Sequence, residues 1–324
     1  MNEISSSQLY EGLLTYGMFN EKLPPFLTGK PFFDYCQTQN INFPKQPMQY
    51  SYYESMRNIN IPRPFGIPNP AAYQRLCSCL AKNWDEIKQY FKTYTNEQSH
   101  KISRIHIRKM NNSNALFEMN YSNFKTDGTP EPSLLIGNRY LVCADISNCF
   151  PSMYTHSLPW ALVGKQIAKQ TRKDTSKWYN EIDFYTRNIK DGETHGLLIG
   201  PHTSNLLSEI ILVAIDKNLY NDGWHYIRNI DDYKCYVDSY EDGQAFLVKL
   251  SEQLRSYDLT LNHKKTEIVE LPIASVEKWV RKLNSFSGFD ISDIVNLNIV
   301  RSYIDYSIEL MQNNKNNSAI RVDP

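Results

Sequence analysis

Residues 225–237 read HYIRNIDDYKCYV and are the most informative segment of the chain. Two short runs rich in aromatic and β-branched residues flank a polar centre, a pattern typical of a β-hairpin. Asp231 and Asp232 then lie at or beside the turn. Two neighbouring carboxylates repel each other and are stabilised best by a cation. Taken alone, the pair also fits an ordinary solvated turn, in which Asp is common.

A third carboxylate follows an apolar run at 139–146, RYLVCADI, which is suited to a buried strand. Asp145 closes this run, and a carboxylate at the end of a buried strand needs a partner. Three carboxylates on two neighbouring strands could hold Mg²⁺, which prefers oxygen ligands and often shares its coordination shell with phosphate.

Helical spacing of apolar residues surrounds these strands. It predicts helices over 71–92, over 203–219 with Thr203 or Ser204 as the N-cap, and over 244–257. The proline-rich segment 22–70 is predicted to be an extended wrap rather than a helix.

Composition describes a folded protein of 324 residues, 41% of them hydrophobic, enough for two or three substructures. Lys+Arg and Asp+Glu are both 35, and zero net charge argues mildly against unspecific coating of nucleic acid. Residues 61–130 nevertheless carry 10 basic and 5 acidic side chains. This excess is either ordinary scatter of charge or a surface that holds phosphates. The cysteines and histidines form no zinc pattern. Without a secretory signal or a long apolar run, the prediction is a cytoplasmic protein with free thiols and no membrane association.

Four segments in order resemble the motifs of a reverse transcriptase. They are ADISNCFPSMYTHSLPWAL (144–162), GLLIGPHTSNLLSEIIL (196–212), NIDDY (229–233) and LNHKKTEI (261–268). More narrowly, LYEGLLTYGMFNEKLPPFLTG (9–29) and YTHSLPWAL (154–162) are similar to bacterial defence-associated, abortive-infection reverse transcriptases, which are relatives of retron and group II intron enzymes.

This resemblance implies an α+β right-hand polymerase: an antiparallel palm sheet, helical fingers, and a partial helical thumb or C-terminal segment. The expected parts are 1–138 for the N-terminal extension and fingers with parts of the palm interleaved, 139–270 for the palm with the catalytic motifs, and 271–324 for a helical thumb-like segment or the start of a C-terminal helical domain. The implied activity is RNA-directed DNA synthesis in defence against phage. The implied partners are dNTPs, an RNA template or non-coding RNA, the DNA product, and a second copy or a second protein subunit.

The motifs also imply roles for individual residues. Asp145, Asp231 and Asp232, with the main-chain carbonyl of Ile146, would hold two Mg²⁺ ions about 4 Å apart, and Mn²⁺ could replace them.

Other motif positions would bind the incoming nucleotide. Phe150 would occupy the space of a ribose 2′-hydroxyl and so select deoxynucleotides, while Asn148 and Cys149 would offer backbone N–H groups to the triphosphate. Gly200 would let the backbone approach the template and the incoming base, and Lys265 matches the lysine proposed to protonate pyrophosphate. For Phe150 a core position, and for Lys265 a solvated turn, remain the simpler alternatives.

Arg108 and Lys109, in the basic stretch 103–110, are candidates for holding the triphosphate from the fingers, or they belong to a solvated strand face. Two positions depart from the family pattern. Ile199 stands where the family has glutamine before Gly200, and Asn229 replaces the tyrosine of YxDD.

These departures keep other functions open. One is template-independent or protein-primed DNA synthesis at the same site. Another is a catalytically degenerate, RNA-binding partner subunit. A third is RNA-dependent RNA synthesis, against which an aromatic ring at Phe150 argues.

Overall fold

The computed structural model describes residues 4–19, 23–39, 41–58, 61–104, 106–108, 118–120, 130–272, 281–283, 285–286 and 297–313. The chain divides into two compact units. The first comprises Met1–Arg57 and Pro62–Leu271, and the second comprises Asn58–Ile61 and Pro272–Pro324. The division of the first unit into fingers and palm at residue 138 stays a prediction.

Helices dominate the described residues. They are α1 Ser6–Thr15, α2 Lys30–Thr38, α3 Pro70–Lys82, α4 Trp84–Thr95, α5 Glu131–Leu135, α6 Cys149–Ser152, α7 Ser157–Val163, α8 Lys165–Thr171, α9 Trp178–Asn188, α10 His202–Asn221, α11 Tyr240–Ser256 and α12 Leu297–Asn313. The strands are β1 Ser51–Asn58, β2 Ile61–Ile67, β3 His106–Arg108, β4 Glu118–Asn120, β5 Tyr140–Asp145, β6 Tyr226–Asn229, β7 Asp232–Val237 and β8 Glu267–Glu270.

A four-stranded antiparallel sheet carries the centre of the first unit, with strand order β6-β7-β5-β8. The predicted strand at 139–146 and the predicted hairpin at 225–237 both form. They become neighbours, because β5 pairs with β7 in a register that sets Asp145 opposite Asp232. The α+β composition with an antiparallel sheet, predicted from the sequence, is confirmed.

Two long helices accompany the sheet. Helix α10 is buried along most of its length, which is why it is apolar on nearly every face. Helix α11 packs on the sheet through Gly243, where an added Cβ would come within 3.1 Å of Ile268 and 3.2 Å of Val142. The absence of a side chain there sets how closely helix and sheet approach.

Three local predictions were wrong. The helix expected over 71–92 breaks in two, because the Asn83 side chain donates to the Cys79 carbonyl and the backbone leaves the helical region at Asn83. The proline-rich segment contains α2, which begins with Pro31 in its first turn, where proline is tolerated. Helix α10 begins at His202 with Pro201 as N-cap, so Ser204 lies inside its first turn.

The second unit contains α12, in which Leu310 is buried and packs with Leu283. The Phe286 ring lies 5.4 Å from Tyr303 and 6.0 Å from Tyr306, centroid to centroid. In the part of the chain that the structure describes, no helix combines the length and the apolar character needed to cross a membrane.

Candidate active site

Three carboxylates meet where β5 ends and the β6–β7 hairpin turns. Asp145 is the last residue of β5, Asp232 is the first of β7, and Asp231 precedes it in the two-residue turn. One oxygen from each carboxylate lies within 4.8 Å of the others. A backbone hydrogen bond joins the end of β5 to the hairpin turn, because the Ile146 N–H donates to the Asp231 carbonyl at 3.1 Å.

The segment before β8 holds Asp145 from the other side. The Asn262 amide donates to Asp145 Oδ1 at 2.9 Å, and its backbone N–H donates to the Asp145 carbonyl at 2.7 Å. Lys265 Nζ donates to Asp145 Oδ2 at 2.7 Å. Both oxygens of a buried carboxylate are therefore bonded. Asn262 was missed by the sequence analysis, although it stands three positions before Lys265 in the same motif.

The other two carboxylates resist ionisation. Loss of solvent, reinforced by the neighbouring Asp145 charge, raises the pKa of Asp231. Loss of solvent and the charge of Asp231 raise the pKa of Asp232 to about 6. The charge of Lys265 lowers the pKa of both Asp231 and Asp232 and so opposes these increases. The contact with Asp145 in turn raises the pKa of the Lys265 ammonium. Arg63 also lowers the pKa of Asp231. The three carboxylates still outnumber these two cationic side chains, so the site favours an added cation.

An all-oxygen donor set of this kind suits Mg²⁺ or Mn²⁺. Asp145, Asp231 and Asp232 provide side-chain oxygens within reach of one ion. The residues present therefore fit the divalent ions that the sequence implies.

The loop after Asp145 places the predicted nucleotide-binding residues. Asn148 adopts a left-handed conformation with φ 45°, which Asn tolerates better than most residues, and it begins α6. Cys149 is buried, which raises its thiol pKa well above the usual value and makes the side chain an unreactive packing group. Phe150 is partly buried against the core.

Hydrogen bonds link this loop to the segment that contains Gly200. The Phe150 carbonyl accepts from the Leu197 N–H at 2.8 Å. Ile199, where the family has glutamine, accepts through its carbonyl from the Gly66 N–H of β2, also at 2.8 Å. Gly200 has φ 121°, a conformation that side chains oppose. The predicted glycine is thus required by the backbone at this turn.

For Arg108 and Lys109, the two basic candidates for triphosphate binding, the structure describes only the backbone of Arg108. Arg108 ends β3 with its backbone opposite Glu118 of β4. Its side chain and the whole of Lys109 lie outside the described residues.

A buried ion cluster behind the hairpin was not anticipated. Arg228 of β6 is fully buried and pairs with Asp216 and Glu209 of α10, which are 1% and 3% exposed. Burial raises the pKa of Asp216, whereas Arg228 lowers it. The available signal was an arginine inside an apolar strand, together with two carboxylates seven positions apart on an apolar helix.

Comparison with known proteins supports a single family. Residues 93–291, more than half of the chain, match the family described as reverse transcriptase (RNA-dependent DNA polymerase). No curated protein matches the sequence.

Among solved structures, apo telomerase from Candida tropicalis is 11% identical, with a TM-score of 0.45 over 74% of this chain and 47% of that one. Telomerase from Candida albicans with a telomeric RNA fragment is also 11% identical, with a TM-score of 0.42 over 86% and 56%. The chain spans about half the length of these two structures.

Proposed function

Because the chain belongs to the reverse transcriptase family, whose members are nucleotidyltransferases, we propose that it is an RNA-directed DNA polymerase that joins dNTPs to a 3′-hydroxyl. The observation that carries the proposal is the convergence of Asp145, Asp231 and Asp232 within 4.8 Å. These side chains, with the Ile146 carbonyl, would hold two Mg²⁺ ions. The ions would activate the attacking hydroxyl and neutralise charge on the triphosphate and the departing pyrophosphate.

The residues around the carboxylates would position the nucleotide. Asn262 holds the Asp145 carboxylate, and the Lys265 ammonium, 2.7 Å from Asp145 Oδ2, would contact the phosphates. The Phe150 ring would exclude a 2′-hydroxyl, and Asn148 and Cys149 would present backbone N–H groups. Gly200 would admit the template strand, and Arg108 and Lys109 would hold the triphosphate. In this arrangement 1–138 supplies the fingers, 139–270 the palm and 271–324 a thumb-like segment.

Primer extension tests this function. The purified chain is incubated with an RNA template, an annealed DNA primer, dNTPs and Mg²⁺, and the products are sequenced. We expect DNA complementary to the template. The Asp231→Asn variant, nearly isosteric and uncharged, should fold and make none. Equal synthesis by this variant would refute the assignment of the carboxylates.

A second mode of synthesis is favoured by one observation. Asn229 pairs directly with Asp232 at the end of the hairpin, where the family's tyrosine ordinarily packs by the primer end. A chain without that tyrosine could start on a protein hydroxyl or without a template. Incubation with single dNTPs after nuclease treatment would produce protein-linked or homopolymeric DNA. If no DNA formed under these conditions, templated synthesis would be the remaining mode.

We further propose that the enzyme acts in the bacterial cytoplasm in defence against phage, on the similarity of residues 9–29 and 154–162 to defence-associated reverse transcriptases. Its partners would be a non-coding RNA template and a second copy or another subunit. Cells expressing the wild-type chain should plate phage less efficiently than cells expressing Asp231→Ala/Asp232→Ala. Undiminished protection by the double variant would instead favour a degenerate RNA-binding subunit. Sequencing the nucleic acid that co-purifies would identify the template.

A further inference from the structure

The turn that carries Asp231 is held in a strained conformation. It joins β6 to β7 through two residues, Ile230 and Asp231, and Ile230 has φ 53°. A two-residue hairpin turn with positive φ at its first central position normally has glycine there. For a β-branched residue this region is a genuine outlier. Such strain persists only where the surroundings over-determine the backbone.

The Arg228 guanidinium supplies that constraint. Its Nη1 donates to the Ile230 carbonyl at 3.0 Å, so the side chain reaches forward to the strained residue itself. The remaining donors are all used: Nε bonds Asp216 at 2.9 Å, Nη1 bonds Glu209 at 3.1 Å, and Nη2 bonds both carboxylates. A guanidinium has five N–H donors in a planar fork, and here each has an acceptor.

The Arg228 backbone is fixed as well. Its N–H donates to the Ile102 carbonyl at 2.9 Å, and its carbonyl accepts from the Arg104 N–H at 2.8 Å. Helix α10 anchors the guanidinium through Asp216 and Glu209, while residues 102–104 anchor the main chain. Arg228 can therefore hold the turn at a fixed position relative to helix α10.

We infer that Arg228 is a positioning residue that holds the Ile230 carbonyl and thereby aims the Asp231 carboxylate at Asp145 and Asp232. The inference rests on the proposed function, since it assigns Arg228 to the metal-binding carboxylates of that site. Among the described contacts, Arg228 bonds to the Ile230 carbonyl and to none of the three carboxylates of the site. Its effect is exerted through the turn. Lysine at this position keeps the charge, but it has three donors on a flexible stem and cannot make all five bonds.

The test compares three single variants, and one double variant that combines two of them, in the full chain. Arg228→Lys weakens the constraint on Ile230. Tyr226→Phe is the matched control, because the Tyr226 hydroxyl donates to Asp216 at 3.0 Å within the same cluster but does not contact the turn. Ile230→Gly relieves the strain without touching the cluster. Each variant is measured for thermal stability, for Mn²⁺ affinity by electron paramagnetic resonance, and for kcat and KM in primer extension.

For Arg228→Lys we expect Mn²⁺ affinity and kcat to fall by about 10- to 100-fold, as for residues that orient metal ligands, with KM for dNTP little changed. Tyr226→Phe should lower the thermal stability but keep Mn²⁺ affinity and kcat within about twofold of wild type. Adding Ile230→Gly to Arg228→Lys should restore part of the Mn²⁺ affinity, because a relaxed turn no longer needs the constraint.

Any of three results would overturn the inference. Arg228→Lys could bind Mn²⁺ as tightly as wild type, or Tyr226→Phe could lose as much Mn²⁺ affinity as Arg228→Lys. The third result is an Arg228→Lys/Ile230→Gly double variant with no more Mn²⁺ affinity than Arg228→Lys. Mn²⁺ binding needs no polymerisation, so the two proposals fail separately. If the wild-type chain bound Mn²⁺ but made no DNA, the polymerase function would fail while the role of Arg228 remained.

Discussion

Removing the Lys265 ammonium should strengthen metal binding in the absence of nucleotide. Lys265 Nζ lies 2.7 Å from Asp145 Oδ2, so it occupies an oxygen that a divalent ion needs. The Lys265 side chain is 58% exposed, and solvent screening keeps such a pair near 0.2–1 kcal/mol rather than the several kcal/mol of a buried pair. A change of about 1 kcal/mol corresponds to about fivefold in Kd. Lys265→Met should therefore bind Mn²⁺ up to about fivefold more tightly.

The assay is a Mn²⁺ titration at neutral pH and low ionic strength, in which electron paramagnetic resonance reports the free ion. Lys264→Met is the matched control, because Lys264 is exposed and adjacent, whereas Lys265 is the residue that pairs with Asp145. The gain should shrink as salt is added, since screening weakens the competing contact. Once dNTP is present, the same variant should react more slowly, because an ammonium near the phosphates is lost. Unchanged or weaker Mn²⁺ binding by Lys265→Met would refute the competition.

Three further outcomes are expected. Folding raises the pKa of Asp232 to about 6, so the metal-free folded chain binds a proton at Asp232 more strongly than the unfolded chain does. Protonation of Asp232 therefore stabilises the fold at low pH, and this stabilisation is lost as the pH rises through about 6. Protons compete with the ion below that pH, so Mn²⁺ should raise Tm more at neutral pH than in acid; a larger rise in acid would contradict the shift. Phe150→Ala should increase ribonucleotide incorporation about 10- to 100-fold relative to wild type, and unchanged sugar discrimination would exclude Phe150 as the selecting ring. Gly200→Ala should lower the free energy of unfolding by about 1 kcal/mol or more, because φ 121° opposes a side chain; undiminished stability in denaturant titration would contradict this.

The sheet and its carboxylates were accessible from the sequence because local patterns determine them. Apolar runs place strands at 139–146 and 225–237, and acidic residues at their ends mark where charge collects. Acidic residues at the ends of both strands led us to expect that the strands are neighbours, and the structure shows β5 paired antiparallel with β7. The match to the reverse transcriptase family over residues 93–291 agrees with this interpretation.

Features that depend on contacts between distant segments were not accessible. The break at Asn83 arises from one side chain bonding back to Cys79, and helix propensity does not report it. Asn262 acquires its role only when the segment before β8 meets β5. The ion cluster of Arg228 requires α10 and β6 to be packed together, and sequence spacing does not measure that.

The pairing of β5 with β7 also has a consequence for how the chain folds. Five helices, α6 to α10, lie between these strands in sequence, so the pairing closes a long loop and is slow for that reason. The same pairing sets Asp145 against Asp232 and creates their mutual repulsion. A step that must close a long loop is thus also opposed by charge. Divalent cations, which would relieve this repulsion, should therefore accelerate formation of the sheet.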